Sequence, residues 1–147
     1  MASYLTLLQE WDAAQKHLKR IWTRAVDAYY EDAHGVLQGD LGEICNMLLE
    51  EVEEAVEPTA TAFERVAMLG PKEIDEVVLG LEMSLQELRG VTENRLGPDE
   101  TRSTRQALSW GPWNGADSAA AGARQEFVEC VRRVLSAPPT PSFKSPA

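Results

Sequence analysis

A chain of 147 residues, 44% hydrophobic and 26% charged, is the size of one soluble domain with a core of its own. Its net charge of −10 excludes broad nucleic-acid binding, because a phosphate backbone needs a cationic surface, and opposes docking on an anionic membrane. No apolar run approaches the ~20 residues of a membrane span, and Trp11-Asp12 and Lys16 to Arg20 interrupt any signal-peptide core. A soluble, cytoplasmic protein is expected.

Ser3 has the chemistry of an N-cap for a long first helix. Tyr4, Leu8, Trp11, Gln15, Leu18, Trp22, Ala25 and Tyr29 recur at alternating steps of four and three, a 3.5-residue period. Leu7, Ala14, Ile21 and Ala28 flank this stripe. Gly35 and Gly39 open a turn. Asp40 and Glu43 have capping-box spacing. Leu41, Ile44, Cys45, Leu48, Leu49, Val52 and Val56 then form the stripe of a second helix, which Pro58 is expected to stop.

A short helix is expected over 60–69, closed by Gly70. Pro71 opens a third, with Ile74, Val77, Val78, Leu81, Leu85 and Leu88 inward and Gly90 at its end. Gly80 suits a close helix crossing. Pro98, Asp99 and Glu100 start a further short piece through Leu108, and residues 109–115 read as a loop. A last helix covers 118–135. Residues 137–147 hold four prolines and should be a disordered tail. The fold class is therefore all-α: four main helices bundled into one domain over 1–136.

From Ala25 to Glu64 there is no Lys or Arg but eleven Asp and Glu, six of them glutamates between Glu43 and Glu57. At 100° per residue Glu50, Glu53, Glu54 and Glu57 point away from the apolar stripe, and Glu51 lies at its edge. Three environments suit such a face: plain solvent, a basic protein partner, or a divalent ion. The segment Leu49-Glu50-Glu51-Val52-Glu53-Glu54-Ala55-Val56 resembles the first acidic motif of the all-α, MazG-like nucleoside triphosphate pyrophosphohydrolases. Glu51-x-x-Glu54 is followed after 18 residues by Glu73-x-x-Glu76 and then Val77-Val78-Leu79. Glu76 stands where that family has Asp. The resemblance implies Mg²⁺ held by Glu51, Glu54, Glu73 and Glu76, and a nucleotide cleaved between its α- and β-phosphates. Read without it, Glu73 and Glu76 simply favour the N-terminal end of a helix dipole.

Trp110 and Trp113 flank Gly-Pro. Each either plugs a gap between helix ends or anchors a partner. His17, His34, Cys45 and Cys130 show no zinc-site spacing, and the cysteines read as two buried thiols in a reducing compartment. The first helix, at about 30 residues and ~45 Å, outruns neighbours of roughly 18 residues. Its Trp11 and Trp22 face is therefore expected to meet a second copy or a partner. The leading expectation is a non-enzymatic interaction protein that offers Glu50, Glu53, Glu54 and Glu57 to a basic partner and pairs as a homodimer through its first helix. The Mg²⁺-dependent pyrophosphohydrolase is the second.

Overall fold

The computed structural model describes residues 2–99 and 101–136. Its elements are α1 (Ala2–Ala33), α2 (Leu41–Leu69), α3 (Lys72–Leu96), α4 (Thr104–Leu108) and α5 (Gly111–Ser136), an all-α fold. The expected tail and Glu100 lie outside the described residues. Side-chain pairs set the helix directions. Tyr29 meets Cys45 and Arg24 meets Glu51, so α1 and α2 are antiparallel. Glu53 reaches Arg89 from α2 to α3, and Cys130 of α5 donates to the Glu73 carbonyl of α3. Tyr4 meets Phe127, Asp12 meets Arg124, and Trp22 meets Trp113, so α5 descends along α1. The four long helices thus run up, down, up and down.

The connection from α1 to α2 follows from two glycines. Gly35 has φ +69° and Gly39 φ +105°, a region that side chains with a Cβ rarely enter. Gly35 N–H bonds to Asp32 C=O and Val36 N–H to Glu31 C=O, the paired bonds of a Schellman C-cap. Asp40 then caps α2 by accepting the Glu43 N–H, as its spacing predicts.

Five expected boundaries move, one of them that of the short piece expected from Pro98, which is helical only as α4 from Thr104. α1 begins at Ala2, so Ser3 lies in its first turn and is not the cap. α2 passes through Pro58 and continues to Leu69; burial of Val52, Val56, Phe63 and Val66 on one stripe outweighs the lost backbone bond. α3 passes Gly90 for the same reason, since Thr92, Arg95 and Leu96 beyond it are buried. α5 starts at Gly111, and Pro112 fits its first turn because those N–H groups have no helical partner anyway. Gly80 makes no close crossing: a Cβ there would meet nothing within 4 Å.

The extension of α2 removes the length mismatch that suggested a second copy on α1. The two helices have 32 and 29 residues. Trp11 and Trp22 are also withdrawn as partner contacts, because they are 3% and 0% exposed within the single chain. Trp11 donates its indole N–H to the Leu81 carbonyl. Trp22 is covered by Trp110 and Trp113, at ring distances of 6.1 Å and 5.9 Å. The two late tryptophans therefore plug a gap, Trp113 from inside a helix. Arg95, 6% exposed, lays its guanidinium 4.7 Å from the Trp22 ring centre and donates to the Gln106 carbonyl. Burial, then the charge of Arg102, lowers its pKa.

Cys45 and Cys130 are free, buried thiols. Burial pushes the Cys45 pKa up, against smaller opposing effects of Tyr29 and Arg102. Burial also raises Tyr29, helped by Cys45. The linkage has a definite sign. An acid whose pKa is raised by folding holds its proton longer in the native state, so its stabilising contribution is complete at neutral pH and is lost as pH rises through the folded value. Urea melts are expected to be flat from about pH 6 to 8 and to weaken above about pH 9, with Cys45→Ala reducing that alkaline loss. An identical alkaline slope in Cys45→Ala would assign the loss to other groups.

Candidate functional site

The acidic face is built by α2 and completed by α3. On α2 the buried stripe leaves Glu50, Glu53, Glu54 and Glu57 exposed, as the 100° rotation per residue predicts. Nearly two turns past Pro58, Glu64 stands exposed as well. Antiparallel α3 brings Glu82, Gln86 and Arg89 alongside. Between the helices lies a groove of about 380 Å³. Exposed Ala67 and the edges of the largely buried Val56 and Phe63 supply apolar surface, and Glu57, Glu64 and Glu82 line it with carboxylates.

Arg89 is the cation within this groove, and it is already engaged. Its guanidinium lies 3.8 Å from Glu53 and 3.4 Å from Glu93. Glu50, Glu54 and Glu57 make no ion pair among the described residues. The groove is therefore left strongly negative. Beside it on α3, Leu79 and Met83 are 53% and 62% exposed, one helical turn apart. Exposed apolar side chains next to a charged rim are the composition of a protein-binding surface, and methionine adapts well to varied partners.

Glu51 points the other way. It accepts both of its hydrogen bonds from Arg24, at 2.8 Å and 2.9 Å, and has His17 at 3.7 Å. It belongs to the seam between α1 and α2. Glu73 and Glu76 are exposed at the start of α3, where Glu73 lines a small hollow with Cys130 and Arg133 of α5. The four carboxylates expected to hold Mg²⁺ are thus not brought together, and among the described residues no group of three or more His, Cys, Asp or Glu is placed to hold a metal ion. The physical reason is the continuity of α2. With Glu53 opposite Arg89, the residue opposite Glu73 lies near the end of α2, roughly 20 Å from Glu54 at 1.5 Å per residue. A chain that turned back at Pro58 would have placed the two acidic pairs closer.

One groove residue and one helix cap escape sequence reasoning. Glu82 joins the groove only because α3 folds back on the extended α2. Ser103 and Gln106 form a complete capping box on α4, and here the spacing Ser-x-x-Gln was a usable signal. No family model, curated protein or solved structure matches the chain.

Proposed function

We propose that the protein is a non-enzymatic docking module whose α2–α3 groove takes a cationic amphipathic segment of a partner protein. The observation that supports this reading is the groove itself: an apolar floor of Ala67 and the edges of Val56 and Phe63, carboxylates of Glu57, Glu64 and Glu82 around it, and an Arg89 already paired. Lys or Arg side chains of the partner match the carboxylates. Its apolar face matches the groove and the Leu79–Met83 ridge. Charge complementarity of this kind steers encounter and sets orientation, while the desolvated apolar contacts supply most of the affinity.

The test is fluorescence anisotropy with a labelled Lys/Leu amphipathic helical peptide. Binding is expected to weaken several-fold as salt is raised, because rim charges are screened. Replacing Glu53, Glu57, Glu64 and Glu82 together by Gln is expected to weaken it by at least about tenfold. The control replaces Asp27 by Asn and Glu31, Glu126 and Glu129 by Gln, all exposed and away from the groove. It changes the net charge equally and should leave affinity within about twofold. Equal losses in both variants would reduce the effect to net charge and sink the docking reading.

A further inference from the structure

A second concavity sits at one end of the bundle, with chemistry unlike the groove. Where α1 ends and α2 begins, the connection from α3 to α4 folds across and leaves a cleft of about 590 Å³. That volume is in the range of small-molecule sites. Leu41, Leu96 and Ala107 supply apolar wall, and Tyr29, Cys45 and Arg102 bring polar atoms to it.

Arg102 is the informative residue. Its side chain is only 11% exposed. The guanidinium donates to the Asn94 carbonyl at 2.8 Å and the Arg95 carbonyl at 3.1 Å, and contacts the Tyr29 hydroxyl at 3.5 Å. The Asp99 carboxylate forms an ion pair with it at 3.9 Å, without a direct hydrogen bond. Asp99 instead accepts from the Thr101 N–H and hydroxyl. Arg95 behind it is buried against Trp22 and has no carboxylate partner among the described residues. Two guanidiniums thus share one corner of a protein whose net charge is −10, held by carbonyl dipoles, an aromatic face and the ion pair with Asp99. Guanidinium presents five donors and pairs best with a planar carboxylate, and Arg102 has N–H groups left over.

We propose that this cleft binds a small organic monocarboxylate, its carboxylate on Arg102 and its apolar body against Leu41, Leu96 and Ala107. Among the described residues the lining holds two acids, Asp32 and Asp99, both exposed. Their repulsion grows with the charge of the ligand, so it opposes phosphates more than an anion of single charge. The site is separate from the α2–α3 groove and does not rest on the docking function.

The test uses the full chain, ¹⁵N-labelled, titrated with phenylacetate, isocaproate and cinnamate, each against its neutral amide, with inorganic phosphate as a further probe. At least one acid is expected to give saturable shifts at the amides of Tyr29, Cys45 and Arg102. Its amide should bind at least about tenfold more weakly, and phosphate should not compete. Arg102→Gln should reduce acid binding to the level of the amide. Because Arg102 also ties down two carbonyls, a second variant keeps the guanidinium: Asn46→Trp, at an exposed position on the cleft wall, should block the acid without lowering the melting temperature. Equal affinity for acid and amide, competition by phosphate, shifts located elsewhere, or no saturable shift with any acid would each overturn the proposal.

Discussion

Truncating Trp22 to alanine is expected to lower the free energy of unfolding by about 3–5 kcal/mol, a large share of the roughly 5–15 kcal/mol that holds a domain of this kind together. Trp22 is wholly buried and is shared by three helices. Trp113 of α5 tilts against it, Trp110 meets it edge-on from the segment before α5, and Arg95 of α3 lies over its ring. Alanine leaves a cavity and removes the aromatic face from a buried cation, whose pKa burial lowers. Far-UV circular dichroism during urea unfolding reads the loss without relying on tryptophan emission. Trp22→Phe should cost much less, because the Trp22 indole N–H has no hydrogen-bond partner to lose. Trp11→Phe differs, since it deletes the bond to the Leu81 carbonyl. A Trp22→Ala protein within about 1 kcal/mol of the parent would show that the cluster collapses around the gap.

This cluster marks where periodicity stops being informative. The stripe of α1 announces that Trp11 and Trp22 need cover, and they are covered. Periodicity does not say by what, because the cover for Trp22 comes from Trp110 and Trp113 far along the chain. The residues that close the gap lie in a segment rich in Gly and Pro, whose local signals favour a loop over the helix that tertiary burial of Trp113 and Ala116 supports. The outward direction of Glu50, Glu53, Glu54 and Glu57 is different in kind. It follows from the helical rotation alone, so the acidic rim was legible while its opposite wall was not. The wall depends on the register between α2 and α3, and the register depends on where α2 ends. The Arg95–Arg102 corner was invisible for a related reason: two arginines in a weakly patterned stretch gain meaning only when α3 runs past Gly90 and the α4 connection folds back over Tyr29.

Pro58→Ala is expected to stabilise the protein by about 2 kcal/mol. Proline inside a helix is disfavoured by about 3 kcal/mol relative to alanine, since it removes one backbone bond and presses its ring on the preceding turn. Part of that gain is offset by roughly 0.4–1 kcal/mol, because alanine frees the unfolded chain. The site suits the exchange. Pro58 lies on the exposed side of α2, where the Glu54 carbonyl lacks its fourth-residue donor, while the neighbouring Thr59 hydroxyl bonds the Val56 carbonyl at 2.6 Å. An alanine N–H would restore the missing bond without entering the core. The measurement is a rise in urea midpoint at unchanged slope, which separates stability from a change in the surface exposed. A fall in the midpoint would mean that the packing of Val56 and Phe63 on either side of residue 58 depends on the backbone shape that proline favours there. That would make Pro58 a shaping element of the α2–α3 groove, because Glu57 and Glu64 flank it on the same wall.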